Sequence, residues 1–148
     1  MLKAIRAFFE NNIHGTEGKE LNTDQRQLAT AALLIEVASA DHNLDETELE
    51  RIKAILQQKF ALDTEQLTTL TELAKTQKDE ATSLYQFTQL INEHCSPEEK
   101  FKLIAAMWEV AFADNELDKY EEYLIRKVAD LIYVSHSDFI RAKLSVQN

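Results

Sequence analysis

The sequence predicts an all-α fold of seven to eight helices, arranged as two pseudo-symmetric helical halves. Apolar residues recur at helical spacing along most of the chain, with no long alternation of apolar and polar residues to compete with that pattern. Only two glycines and one proline occur, which are too few for the turns of a β-sandwich or barrel. Residues 32–52 also align with residues 105–125 with ten identities in 21 positions, so the chain contains an internal repeat with an offset of 73.

The predicted elements follow from apolar periodicity and from start signals. A cap at Asn22, Thr23 or Asp24 begins a second helix that runs to about residue 40. Ser96-Pro97-Glu98-Glu99 places Ser at the N-cap, Pro at the first helical position and Glu at the third. We expect Thr64 to cap the fourth helix and Ser135 or Ser137 to begin a short last one. The other expected helices cover residues 2–12, 46–60, 65–77, 80–94, 97–113 and 119–133.

The repeated unit is a helix hairpin with the loop Ala-Asp-x-x-Leu-Asp-x-x-Glu. Ten of its positions are identical between the copies. In the first copy they are Ala32, Glu36, Val37, Ala38, Ala40, Asp41, Leu44, Asp45, Glu48 and Ile52. We expect the two hairpins to pack about a pseudo-twofold axis, with residues 60–95 bridging them. Residues 1–22 then form an N-terminal helix and loop, and residues 23–148 form the main helical domain.

Composition excludes several classes of protein. The net charge of −10 and the pI near 4.8 disfavour nucleic-acid binding, which needs a basic patch. The lone cysteine, Cys95, excludes an intramolecular disulfide and a multi-cysteine zinc site, and it fits a cytoplasmic protein. No apolar run reaches the roughly 18 residues of a membrane span. Phe8 and Phe9 of the N-terminal helix are expected to pack on the domain, with contact to a partner or a membrane surface as the alternative.

Nothing in the sequence indicates an enzyme. A di-iron helical bundle needs Glu-x-x-His pairs, and no histidine here has Glu three places before it. Cys95 follows His94 directly, and adjacent residues on a helix point away from each other. We therefore expect no catalytic residues.

The acidic loops have two interpretations. Asp45 with Glu48, and Asp118 with Glu121, are each spaced as a capping box at a helix start, and Leu44 with Leu49 would add a hydrophobic staple in the first copy. Capping does not explain other acidic residues of the repeat. Asp41 and Asp114 end the preceding helix, where the helix dipole disfavours an anion. Glu36 and Glu109 lie on helices that are apolar on all faces and therefore buried.

A buried carboxylate needs a partner, and three kinds remain open for Glu36 and Glu109. One is a basic side chain, namely Lys53 or Arg126. Another is a set of free N–H groups at a helix N-terminus. The third is a divalent cation, Ca²⁺ or another hard ion that takes oxygen ligands. The predicted metal ligands are then Glu36, Asp41, Asp45 and Glu48 for a cation in the first copy, and Glu109, Asp114, Asp118 and Glu121 for one in the second.

The loops are not EF-hands. Asp41-x-Asn43-x-Asp45 matches the first ligand positions of an EF-hand loop, but Glu46 stands where its glycine belongs and Ile52 where its last glutamate belongs. A cation site here would have a different shape.

The doubled loop, the Glu five residues before each first Asp, and the ending Val134-Ser135-His136-Ser137-Asp138-Phe139-Ile140 together resemble the TerB-like (tellurite resistance protein B) family. The resemblance covers residues 23–145. It implies an all-helical fold of two packed bundles and a stress-associated, non-catalytic role in bacteria. It also implies an acidic metal-binding surface. The family often has Gly after the first Asp of the loop, where this chain has His42 and Asn115.

The sequence thus predicts a non-enzymatic domain that binds a divalent cation through paired acidic loops. The alternative is a metal-free protein-interaction module whose acidic loops only cap helices and whose acidic face meets basic partners.

Overall fold

The computed structural model describes residues 2–13, 21–40, 45–79, 85–113 and 119–147, and the regular structure in these ranges is all α-helical. The all-α prediction is therefore confirmed. The helices are α1 (Leu2–Asn12), α2 (Thr23–Ala40), α3 (Glu46–Phe60), α4 (Thr64–Asp79), α5 (Gln86–His94), α6 (Pro97–Ala111), α7 (Lys119–Leu131) and α8 (His136–Val146).

Side-chain caps fix where several helices begin. Ser96 and Glu99 form the predicted capping box at the start of α6. The Asn22 side chain caps α2 by accepting from the Gln25 N–H at 2.8 Å, and Ser135 caps α8. The prediction that Thr64 caps α4 is wrong, because the Asp63 carboxylate accepts from the Gln66 N–H at 2.7 Å and Thr64 is the first helical residue. The N-cap is therefore Asp63, one residue earlier, whose carboxylate reaches the Gln66 N–H.

Helices α2 and α6 form the centre of the molecule, as their apolar faces predict. Every residue of α2 from Leu28 to Ser39 is buried, and α2 packs on α3, α4, α5, α6 and α7. Trp108 of α6 is fully buried, and its indole Nε1–H donates to the Phe139 carbonyl of α8 at 3.2 Å.

The two halves are larger than the repeated hairpin. Helix α4 packs on α2 as α8 packs on α6, so each half contains three helices. Ala61 after α3 and Tyr133 after α7 are both left-handed, with φ of 55° and 63°. The expectation that residues 60–95 bridge the halves is therefore wrong for α4, which is the third helix of the first half. Within that segment, α5 is the helix that stands outside the two matching halves.

Helix α1 packs on α5. Ile5, Phe9 and Ile13 are buried, and the rings of Phe8 and Phe87 meet edge to face with centroids 6.1 Å apart. The expected packing of this helix on the domain is confirmed. Among the helices that the structure describes, none is long and apolar enough to span a membrane.

Candidate functional site

A small cavity lies where the starts of α3 and α7 meet. Its volume is about 50 Å³, and its lining comes from both halves of the molecule: Glu48, Arg51, Ile52, Tyr120 and Glu121. Glu48 and Glu121 are equivalent positions of the internal repeat. The fold thus brings two carboxylates, which the sequence assigned to two separate loops, to a single cavity.

The cavity combines charged groups with the apolar surface of Ile52 and Tyr120, and it has room for an ion or for water. A single water needs roughly 10–15 Å³ of such space, so about 50 Å³ is sufficient for a small ligand. Glu121 is only 5% exposed, and Glu48 is half-buried. Arg51 is the single cationic residue among the five that line the cavity. The lining therefore holds two carboxyl groups and one guanidinium group.

Glu36 is held by the N-terminus of α5. Its Oε2 accepts from the Phe87 N–H at 2.8 Å, and its Oε1 accepts from the Thr88 N–H at 3.1 Å and from the Thr88 hydroxyl at 2.9 Å. Helix α5 needs this external acceptor because its own N-cap residue, Tyr85, makes no side-chain cap. Of the three partners left open for Glu36, the free N–H groups of a helix are therefore the ones observed.

The basic side chains predicted as alternative partners pair elsewhere. Lys53 Nζ lies 3.2 Å from the Glu50 carboxylate, one turn away on α3. Arg126 lies 3.6 Å from the carboxylate of Glu122 on α7. The Glu109 side chain is half-buried and forms no hydrogen bond or ion pair within the described part of the chain. The two equivalent glutamates, 36 and 109, thus have different surroundings.

Asp45 acts as the predicted helix cap. Its backbone is extended, and its Oδ1 accepts from the Thr47 N–H at 3.0 Å. The bond reaches the Thr47 N–H and not the Glu48 N–H of a capping box, and Glu48 lines the cavity.

Three of the eight predicted ligands, Asp41, Asp114 and Asp118, lie outside the described residues, as does Leu44 of the predicted staple. Among the residues that are described, no group of three or more His, Cys, Asp or Glu side chains is placed to hold a metal ion.

Sequence reasoning missed a second structural carboxylate, Glu99. Its Oε1 completes the capping box with the Ser96 N–H, and its Oε2 accepts from the Leu21 N–H at 2.9 Å. This side chain therefore joins the start of α6 to the residues just before α2. The capping box was visible in the sequence, but a bond across 78 positions leaves no local signal.

Cys95 is buried at the end of α5. Burial, with a smaller contribution from the nearby Glu99 carboxylate, raises the pKa of its thiol to about 12. The thiol is therefore protonated at neutral pH, where a nucleophilic cysteine would be a thiolate.

Comparison with known protein families identifies the family to which the chain belongs. The family model described as "Tellurite resistance protein TerB" matches residues 27–144. The chain belongs to the TerB family. Searches of curated proteins and of solved structures found no match. The matched range holds both copies of the repeat and the whole cavity between α3 and α7. Helix α1 precedes it.

Proposed function

We propose that this TerB-family chain is a non-catalytic domain that binds a divalent cation where its two acidic loops begin α3 and α7. The observation that supports the proposal is the cavity shared by Glu48 and Glu121. Two repeat-equivalent carboxylates converge across the pseudo-twofold axis, although their loops are far apart in the chain. Such convergence brings two oxygen-bearing side chains to one cavity, and Ca²⁺ and Mg²⁺ take oxygen ligands.

Some of the predicted ligands could bind a cation, and others could not. Glu48 and Glu121 supply oxygen donors, and Asp45 lies at the start of α3 with one carboxylate oxygen engaged in its cap. Glu36 does not fit, because both of its oxygens already accept hydrogen bonds from α5. A bound cation would supply charge neutralisation for the two glutamates. The predicted ligands Asp41, Asp114 and Asp118 lie outside the described residues.

The proposal of a non-enzymatic role draws support from the one thiol of the chain. Cys95 is buried and protonated, so it is unsuited to nucleophilic attack. A stress-associated role is the further expectation that family membership suggests.

A metal-free module is the second candidate function. Two of the eight predicted ligands favour this candidate, because Asp45 and Glu36 each accept hydrogen bonds from backbone N–H groups at a helix start. In that case the acidic loops stabilise helix starts, and the acidic face of the domain would meet a basic protein partner.

Calorimetric titration of chelator-treated protein with Ca²⁺, Mg²⁺, Mn²⁺ and Zn²⁺ separates the two candidates. We expect one of these ions to bind, and Glu121→Gln or Glu48→Gln to weaken that binding strongly, because each removes a charged donor from the cavity. The matched controls are Glu122→Gln and Glu50→Gln, which change neighbouring carboxylates that pair with Arg126 and Lys53. Equal weakening by the controls, or no heat with any ion, would favour the metal-free module.

A further inference from the structure

The cavity between α3 and α7 contains a permanent positive charge. Three of its five lining residues come from α3 and two from α7, namely Glu48, Arg51 and Ile52, and then Tyr120 and Glu121. A guanidinium group stays protonated at every pH at which proteins are folded and active. A divalent cation that enters the cavity therefore meets a like charge, whatever the protonation state of the two glutamates.

Arg51 lies beside the residues to which the proposed function assigns the cation. Arg51 and Glu48 are three positions apart within α3, a spacing that makes two side chains neighbours on the surface of a helix. Glu121 of α7 lines the same cavity and is 5% exposed. One guanidinium group thus shares about 50 Å³ of space with both carboxyl groups.

Arg51 is also a departure from the internal repeat. The offset of 73 pairs Glu48 with Glu121, but it pairs Arg51 with Leu124. Leu124 is fully buried, whereas Arg51 is exposed. The second hairpin therefore forms with an apolar residue where the first has a cation, so the repeated hairpin does not itself require the guanidinium. Within the cavity lining, the positive charge comes from one half only.

We propose that Arg51 competes with the divalent cation for this cavity and so sets the ion concentration at which the site fills. The inference rests on the proposed function, because it concerns the same cavity. Like charges brought together weaken binding, and their repulsion is larger where solvent is partly excluded. Because Arg51 is exposed, its long side chain can turn from the cavity into water when an ion enters. The free energy of that movement lowers the apparent affinity for the ion.

Calorimetric titration of the chelator-treated full chain with Ca²⁺, Mg²⁺, Mn²⁺ and Zn²⁺ tests the inference on the wild type and three variants. Arg51→Gln removes the charge, and Arg51→Lys keeps it. Lys53→Gln is the matched control, since it removes one positive charge from the same helix at a residue that pairs with Glu50 outside the cavity lining. A thermal melt of each metal-free variant checks that it is folded.

We expect Arg51→Gln to lower the Kd of the bound ion at least about fivefold, because the competing charge is gone. Arg51→Lys should stay within about twofold of the wild type because it keeps the charge, and so should Lys53→Gln because exposed charges outside a site contribute little. Binding by Arg51→Gln where the wild type shows none would support the inference as well.

Two kinds of result would overturn the inference, and they are distinguishable. If the wild type binds an ion and Arg51→Gln binds it no more tightly, or if Arg51→Lys or Lys53→Gln lowers the Kd as much as Arg51→Gln does, Arg51 is not a competing charge and the cation site stands without it. If neither the wild type nor Arg51→Gln gives heat with any ion, the proposed cation site itself is wrong, and the inference fails with it.

Discussion

Glu36 shows how one carboxylate can hold two helices together. It is 3% exposed and accepts from two backbone N–H groups in the first turn of α5, which lacks a side-chain cap of its own. The sequence indicated that Glu36 is buried and needs a partner. It could not identify the partner, because the first turn of α5 lies about fifty positions away and only the packing of α5 on α2 brings the two together.

Glu36→Gln should destabilise the protein by about 1–3 kcal/mol, because one acceptor oxygen becomes an NH₂ group that faces backbone donors. Urea unfolding measures the loss. Glu109→Gln is the matched control at the equivalent position of the repeat, and it should change stability by less than about 0.5 kcal/mol, since this half-buried side chain has no hydrogen bond in the described structure. Equal losses in both variants would contradict the assignment of Glu36 as the anchor of α5.

Because of Cys95, the free energy of unfolding should decrease at alkaline pH. Its folded pKa is raised from 9.0 to about 12, so above pH 9 the unfolded thiol ionises while the folded one stays protonated. The contribution of the thiol is therefore complete below pH 9 and is lost as the pH rises toward 12. Urea unfolding at pH 8 and pH 10 should show a larger loss for the wild type than for Cys95→Ala. An equal loss would mean that the thiol ionises as readily in the folded state.

At the scale of the elements, the periodicity of the sequence was sufficient for most helices. It predicted α1 and α3 with the bounds that the structure has, and it identified α2 and α6 as buried. The sequence did not predict how the helix after α3 relates to the two halves. The segment from 64 to 79 carries no obvious identity with α8, so only the matching turns at Ala61 and Tyr133 and the packing on α2 reveal that α4 completes the first half.

The buried side chains of helix α1 should stabilise the domain. Phe9→Ala should cost about 3–5 kcal/mol, because Phe9 is fully buried, and Phe8→Ala should cost less, because Phe8 is half-buried. Thermal or urea unfolding of the two variants provides the comparison on a single helix. If α1 were a detachable anchor, both substitutions would leave the stability of the domain unchanged.

At the scale of the whole molecule, the fold and the family were predictable, whereas the geometry of the site was not. The repeat of residues 32–52 predicted two related halves, and the family model confirms the resemblance over residues 27–144. The same repeat suggested one cation site per loop. In the structure the pseudo-twofold arrangement brings Glu48 and Glu121 to one cavity, a relation between halves that local spacing cannot contain.

The most direct test of the proposed cation site is a thermal melt of chelator-treated protein with and without each divalent ion. An ion at about 100 times its Kd should add roughly 2.7 kcal/mol, which at this size raises Tm by roughly 5–11 °C. Glu121→Gln should abolish that rise, and Glu122→Gln should keep it. A Tm that no ion changes, or a rise that survives Glu121→Gln, would contradict a cation site at the start of α3 and α7.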